Sequence, residues 1–501
     1  MAQQLFIGID CGTQGSKAVV LDRDTGAILS EAYATHDMIE NNLGRREQQT
    51  AWWVAACTKI LKQVLTKVDA AAIKAIGVSG QQHGMVALTA SGEVIRPAKL
   101  WCDTETSEQC AAITSRAGGQ DAVIKLIGNT VAAGFTASKI AWMQEHEPQH
   151  FDRLSTVLLP HDFINFWLTG ERRAECGDAS GTAYFDVKNR TWSPELIAAI
   201  DPSGKLASCL PELIRSDEPV GTLRPELAEE FGLSTEVLVS SGGGDNMMGA
   251  IGTGNVVPGV VTTSLGTSGT IYAHSAEPVI DPQGELAAFC SSTGGWLPLV
   301  CTMNVTVSTE LVKEVIGMNN EELNQRAELA PLGAEGVMLL PFFNGERTPA
   351  LPTATASITG LNQHNFTKQN LCRAFMEGPT LGLRYGLDVF KRLGVSPAQV
   401  RLIGGGAKSP LWRQMVADIF DCPVVRPSND EAGALGGAIQ ALWCWLGQQG
   451  EAADIVELAG RYVSLDESGA AEPIPANVAA YAEVYESYLT LDQALRPTYL
   501  R

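Results

Sequence analysis

No stretch of this sequence reads as a leader or a bilayer span. Met1-Ala2-Gln3-Gln4-Leu5-Phe6 has neither a basic segment nor a long apolar run, so a signal peptide is not expected. The uncharged stretch from Asn246 to Ala276 is broken throughout by Gly, Ser, Thr and Pro258. Ala432 to Leu446 is more evenly apolar, but it contains Gln440 and three glycines and falls short of the ~20 residues a spanning helix needs. It reads as a buried helix of a soluble protein, with no membrane partner.

Positive charge is scarce. Lys and Arg number 36 against 56 Asp and Glu, a formal net charge of −20. Such a surface repels nucleic-acid phosphate, which argues against a DNA or RNA partner. It repels nucleotide phosphates at long range too, so a nucleotide site must supply local donors and a metal ion. Cysteine pairing signals are also missing. The 11 cysteines are odd in number and form no C-x-x-C, which points to free thiols and a reducing, cytoplasmic compartment. There is no H-E-x-x-H and no Cys/His ligand spacing, so a structural zinc site is not expected. What remains is an ordinary globular composition, 45% hydrophobic and 18% charged, over 501 residues, enough for two or more domains.

The pattern is α/β. Apolar Leu5 to Ile9 ends in Asp10, a turn follows at Cys11-Gly12-Thr13-Gln14-Gly15, and Ala18 to Leu21 returns as a second strand. Asp24-Thr25-Gly26 turns into a third strand, Ala27 to Ala34. Trp53, Cys57, Ile60, Val64 and Val68 recur at helical spacing, with Thr50 as the expected cap. Ile73 to Val78 then reads as a strand leading into Ser79-Gly80-Gln81-Gln82-His83-Gly84. About half a chain later the opening recurs. Val260 to Ser264 leads into Leu265-Gly266-Thr267-Ser268-Gly269, a second G-T-x-G between two β-rich runs. The repeat implies two related domains, 1–254 and 255–501, each opening with a glycine hairpin. In the second half, Thr367 should cap a long helix that Pro379 kinks or interrupts, and Ser409-Pro410 should start another.

Four clusters carry candidate chemistry. Glycine hairpins can turn backbone N–H groups toward phosphate oxygens. Asp10 could hold Mg²⁺ directly or through water, with Thr13, Gln14 and Lys17 near the phosphates. The run Gly404-Gly405-Gly406-Ala407-Lys408, between the Val400 to Ile403 strand and a capped helix, offers close backbone approach and an anion-favouring helix start. Gly242-Gly243-Gly244-Asp245-Asn246 sets a carboxylate at a helix start, where the structural alternative is an N-cap. Gln82 and His83, with Trp101 and Asp103 downstream, supply the amide, imidazole, indole and carboxylate that suit a polyol.

The order and spacing of these motifs, with Gly8-Ile9-Asp10-Cys11-Gly12-Thr13, Leu100-Trp101-Cys102-Asp103 and Gly345-Glu346-Arg347-Thr348-Pro349, resemble the FGGY family of carbohydrate kinases over nearly the whole chain. The resemblance implies two ribonuclease-H-like (actin-like ATPase) domains with an interdomain cleft that closes over ATP and sugar. It implies MgATP-dependent phosphorylation of a ketopentose, xylulose first, with ribulose, gluconate or glycerol as alternatives. An actin-like ATPase switch is the alternative of another class. By position, Asp245 matches the general base, Asp10 the residue near metal and phosphates, and Gln82 and His83 the sugar-contacting pair. Trp101, Asp103 and Asn246 stand with the sugar. Thr13, Gln14, Lys17, Gly266, Thr267, Gly404, Gly405, Gly406 and Lys408 stand with the nucleotide. Gln82 stands where some members have methionine, and Cys102 where some have asparagine. A homodimer is compatible with the family. An ordinary carboxylate pKa near ~4 would suffice for the base, because the attacking hydroxyl loses its proton late.

Overall fold

Leu5–Cys11 and Ile73–Gly80 are almost wholly buried, and they lie side by side in parallel at the middle of a mixed sheet. The computed structural model describes residues 3–499. By contact the chain divides into two units. The first comprises Met1–Val257, His274–Pro298 and Glu431–Val463; the second comprises Pro258–Ala273, Leu299–Asp430 and Ser464–Arg501. The first crossing thus falls close to Gly254, and two later segments group with the first unit.

The sheet of the first unit runs in the order Pro219–Thr222, Leu238–Ser240, Ile73–Gly80, Leu5–Cys11, Gly15–Asp22, Ile28–Thr35, with Gly243–Gly244 pairing alongside Ile73–Gly80. Pairings from the hairpin edge inward are antiparallel, antiparallel, parallel, parallel, then antiparallel. The second unit has Leu299–Thr302, Gly269–Ala273, Val260–Leu265, Gln399–Ile403, Val424–Pro427 and Leu465–Ala471 in that order. Its pairings follow the same sequence of senses. The G-T-x-G repeat is therefore the visible trace of a repeated sheet.

Local chemistry mostly follows the sequence pattern, with three differences. The helix Thr50–Leu65 begins at Thr50 itself, with Gln49 at the cap position and no side-chain cap, so Thr50 is inside the helix. The helix Lys368–Arg392 is capped by Thr367 as expected, but it passes through Pro379 without a break. A mid-helix proline costs about 3 kcal/mol, and here packing on a buried face outweighs it. Thr380 Oγ1 donates to the Met376 carbonyl one turn back, and the Trp412 indole of the Pro410–Phe420 helix donates to Thr380. The third difference follows Ile403. The glycines open a short 3-10 turn, Gly405–Lys408, and only then does Ser409 cap the Pro410–Phe420 helix by accepting from Trp412 N.

Small residues set the centre of the first unit. The helix Ala432–Gln448 lies on Leu5–Cys11 and Ile73–Gly80 at backbone contact: a Cβ on Gly8 would sit 1.7 Å from the Ala434 carbonyl oxygen. On its other side, a Cβ on Gly436 would sit 1.9 Å from the carbonyl oxygen of Met248 in the helix Asp245–Gly252. Only glycine permits such approach. Its consequence is that the start of one helix comes down on Asp10 while the other carries Asp245. Among the described residues no helix is long and apolar enough to cross a membrane.

Candidate active site

Asp10 ends the first strand half-buried, with Lys17 and Ser79 as its cross-strand neighbours. Ser79 Oγ donates to Asp10 Oδ1 at 2.7 Å. A Cβ on Gly433 would lie 3.0 Å from the Asp10 carboxyl carbon, so the first turn of the Ala432–Gln448 helix abuts the carboxylate, where the helix dipole favours negative charge. Lys17 reaches Glu431, 2.6 Å away, just before that helix. Burial raises the Asp10 carboxyl above the usual range, Ser79 and Lys17 pull it down, and Glu431 adds to the rise.

Asp245 is the first residue of its helix, with Gly244 at the cap position, so the simple N-cap alternative does not hold. Its Oδ1 accepts from Asn246 N at 2.8 Å and from Asn246 Nδ2 at 3.1 Å. Asn246 Nδ2 also donates to Gln82 Oε1 at 2.6 Å. Gln82 packs on Gly244, where a Cβ would meet its Cγ at 2.6 Å. Asp245, Asn246 and Gln82 thus form one hydrogen-bonded string. The ordinary carboxylate pKa expected for the base is corrected here: Asp245 is pushed up to about 8, first by burial, then by the charges of Asp10 and Asp178.

His83 is held in an uncommon backbone conformation, φ 64°. Thr136 Oγ1 donates to its carbonyl at 3.1 Å. Its ring lies between Phe135 and Phe289, at centroid distances of 4.8 and 5.4 Å. It also covers Gly181, where a Cβ would fall 2.0 Å from His83 Cε1. Strained, over-determined backbone of this kind collects at functional sites.

The remaining sugar-side residues are tied to the chain. Trp101 Nε1 donates to Thr13 Oγ1 at 3.0 Å, and Thr13 Oγ1 donates to Gln81 Oε1 at 3.0 Å. Gln81 Nε2 continues to Gln48 Oε1, and Gln48 Nε2 returns to the Thr13 carbonyl. Thr13 therefore anchors the Trp101 indole. Asp103 is fully buried. Its Oδ2 accepts from Arg46 N and Lys99 Nζ, and its Oδ1 from Glu105 N. Both oxygens are taken, so its carboxylate shapes the turn that carries Trp101. Glu47, Asp103 and Glu105 have metal-ligand spacing. However, the Lys99 ammonium fills the place of an ion, 3.3, 3.1 and 2.6 Å from the three carboxylates.

In the second unit the nucleotide candidates fall together. A Cβ on Gly404 (φ 89°) would lie 3.1 Å from Gly266 N, so the triple glycine runs against the hairpin backbone. Thr267 and Gly405 are exposed, and a Cβ on Gly405 would meet nothing within 4 Å. Lys408 is mostly exposed and pairs with Asp430 at 3.1 Å. Gln14 of the first hairpin is exposed as well, with its carbonyl accepting from His36 N.

Sequence reasoning missed a buried group beneath His83. His161 Nδ1 donates to Asp178 Oδ2 at 2.8 Å, and Asp162 Oδ1 lies 2.9 Å from His161 Nε2 as an ion pair. Burial pushes His161 down, but the two carboxylates outweigh it and leave the imidazole well above its usual value, hence charged. The signal available was Gly177-Asp178-Ala179-Ser180-Gly181, an acid set among small residues.

Two family descriptions match the chain: the N-terminal domain of the FGGY family of carbohydrate kinases over residues 5–252 and its C-terminal domain over 261–445. The xylulose kinase of Haemophilus influenzae is 47% identical over 492 residues, 97% of this chain and 99% of the relative. That of Escherichia coli is 35% identical, covering 87% of this chain and 89% of the relative. Among solved structures, xylulose kinase from Bifidobacterium adolescentis superposes with a TM-score of 0.82 at 31% identity, over 96% of this chain and 99% of that one. Gluconate kinase from Lactobacillus acidophilus shares the fold, with a TM-score of 0.92 at 23% identity, covering 99% of each chain.

Proposed function

We propose that this chain, which belongs to the FGGY family of carbohydrate kinases and is a sugar-phosphorylating transferase with ATP as donor, takes D-xylulose as its acceptor and uses Asp245 as general base. The relative that shares 47% of its residues is named a xylulose kinase, which supports the substrate. The observation that carries the base assignment is Asp245 itself: half-buried, its Oδ1 oriented by Asn246, and raised to about 8 among neighbouring acids.

Phosphoryl transfer is mostly positioning and charge stabilisation. Gln82, Asn246, His83 and the Trp101 wall orient the sugar. Asp245 accepts the hydroxyl proton as the oxygen attacks the γ-phosphorus. Its raised pKa makes it a stronger base once ionised. Gly266, Thr267 and Gly404 to Gly406, with Gln14, Lys17 and Lys408, are assigned to the nucleotide. The Asp10 carboxylate and the Ser79 hydroxyl make a hard oxygen donor set that suits Mg²⁺. Burial raises Asp10, Asp178 and Asp245 first, and the charges of Asp10 and Asp178 add to the rise of Asp245. Bound there, Mg²⁺ would neutralise phosphate charge. Two finer readings accompany this one: a cytoplasmic location, supported by cysteines that are all free thiols, and a homodimer, which sedimentation would decide.

The test is a coupled ADP-release assay with MgATP over ketoses, aldoses and polyols. Xylulose should give the highest kcat/KM, and Asp245→Asn should lose on the order of 10³-fold in kcat while still binding ATP. An Asp245→Asn enzyme within roughly tenfold of the parent, about 1.4 kcal/mol of barrier, would remove the base role. ADP release indifferent to added sugar would favour the ATPase-switch alternative.

A further inference from the structure

Glu346, in the run Gly345-Glu346-Arg347-Thr348-Pro349, is 5% exposed. Its backbone is fixed by a pair of bonds with Leu351: Glu346 N donates to the Leu351 carbonyl at 2.8 Å, and Leu351 N returns to the Glu346 carbonyl at 2.9 Å. The side chain takes four donors. Oε1 accepts from Met303 N at 2.7 Å and from Arg347 N at 2.8 Å, Oε2 accepts from Asn304 Nδ2 at 3.4 Å, and the Thr348 backbone N–H donates as well. Burial pushes the carboxyl up to about 7, and these donors oppose the rise. An ionised carboxylate accepts at both oxygens, so four donors suit the charged form.

Met303 and Asn304 make the corner between the buried strand Leu299–Thr302 and the helix Thr306–Ile316. Asn304 Nδ2 also donates to the Gly345 carbonyl at 2.7 Å, and its Oδ1 accepts from Asn344 N at 3.1 Å. The next two residues reach the second glycine hairpin. Val305 N donates to the Thr267 carbonyl at 3.0 Å, and Thr306 N to the Gly266 carbonyl at 2.9 Å. The Gly266 carbonyl and the Thr267 N–H share one planar trans peptide and point in opposite directions; so do the Thr267 carbonyl and the Ser268 N–H. Holding both carbonyls at the helix start therefore turns those two N–H groups away from it. We propose that Glu346 is a positioning residue for the nucleotide: through the corner at Met303 and Asn304 it fixes the Gly266 and Thr267 carbonyls, and so aims the Thr267 and Ser268 N–H groups at phosphate. This rests on the assignment of the second hairpin to ATP.

Glu346→Gln is nearly isosteric but offers one acceptor oxygen in place of two. Whichever way the amide turns, its NH₂ faces N–H donors, so a tie to Met303 or to Asn304 is lost. The experiment combines two-substrate kinetics with amide hydrogen exchange read by mass spectrometry. Glu346→Gln should raise the ATP KM about fivefold or more, leave the xylulose KM within roughly twofold, and speed exchange at Val305 and Thr306. Asn304→Ala loosens the same corner from its other side and should do the same, and the double variant should add little to either. A non-hydrolysable MgATP analogue should slow exchange across residues 266–269 of the parent, and should do so less in both variants at the same concentration.

A smaller rise in ATP KM in either folded variant overturns the proposal. So do equal rises in the two KM values, which mark a merely structural carboxylate, and so does failure of both variants to fold. If the analogue protects residues 266–269 of the parent and protects the variants as well, this inference alone fails. If it leaves that hairpin unprotected in the parent, the assignment of the hairpin to ATP fails too.

Discussion

The two glycine hairpins open sheets with the same strand order and the same sequence of parallel and antiparallel pairings, yet their chemistry has diverged. When Gly12-Thr13 is laid on Gly266-Thr267, Asp10 falls on Ser264. The first hairpin pairs Cys11 with Ser16, whereas the second pairs Leu265 with Gly269, one residue tighter. Thr13 is locked between Trp101 and Gln81, while Thr267 is exposed. Charge is concentrated at the first: Asp10, Lys17, Glu431 and Asp245. The second is bare backbone, Gly266 against Gly404, with Thr267 outside. A duplicated scaffold thus separates the work. In the function proposed above, one copy carries the acids assigned to metal and proton, and the other the N–H groups and hydroxyl assigned to phosphate.

The sharpest way to break that comparison is to remove the residue at the equivalent position from each hairpin. Asp10→Ala should lower kcat by on the order of 10³-fold, the loss of a main charge contact in phosphoryl transfer. Ser264→Ala should stay within roughly threefold, about 0.6 kcal/mol. Equal losses from the two variants would mean that the hairpins share the charge chemistry.

A smaller effect tests the crowding of acids around Asp245. Its folded pKa of about 8 lies far above the ordinary aspartate value of 3.8. A carboxyl raised on folding binds its proton more tightly in the native state. It therefore stabilises relative to high pH, and that contribution is lost as pH rises through about 8. Asp245→Asn abolishes the dependence. In metal-free protein the variant should match the parent near pH 4 and exceed it at pH 8.5, by on the order of 1–2 kcal/mol once solvent screening is allowed for. Urea titrations at the two pH values measure this. A gap that is constant with pH, or that widens toward acid, contradicts the assignment. As the proposed base, Asp245 must be ionised, so activity should fall on the acid side, and replacing Asp10 by Asn should move that limb to lower pH.

How much of this was legible in the sequence depends on the range of the interaction. Strand runs such as Leu5 to Ile9, the Thr367 and Ser409 caps and the G-T-x-G repeat are written in neighbouring residues, and they appear where expected. Pro379 does not interrupt its helix, where Trp412, distant in sequence, donates to Thr380. Asp103 had the right residue type, but its partner Lys99 lies four residues before it on a short strand, and no pattern predicts that an ammonium will sit among three carboxylates. The Asp178 to His161 pair joins residues whose types are common and whose spacing is not a motif. The raised pKa of Asp245 is collective: burial first, then the charges of Asp10 and Asp178, both distant from it in sequence.

The mildest comparison is between the two threonines. Thr13 Oγ1 donates to Gln81 and accepts from the Trp101 indole, so Thr13→Val leaves a half-buried N–H and a carbonyl oxygen without partners. That should cost about 1–2 kcal/mol of stability and raise the xylulose KM by loosening Trp101, with less change in the ATP KM. Thr267 is exposed at its turn, so Thr267→Val should leave stability within about 0.5 kcal/mol. If its hydroxyl meets a phosphate oxygen, the ATP KM should rise about tenfold, the equivalent of roughly 1.4 kcal/mol, with the xylulose KM unmoved. Thermal melts and two-substrate kinetics on the pair give four numbers in a crossed pattern. Thr13→Val acting on ATP alone, or Thr267→Val lowering the Tm as far as Thr13→Val, would show that the hairpins had not divided their tasks. The crossed pattern requires one hydroxyl to belong to the fold and the other to the ligand, although both occupy the same place in the repeat.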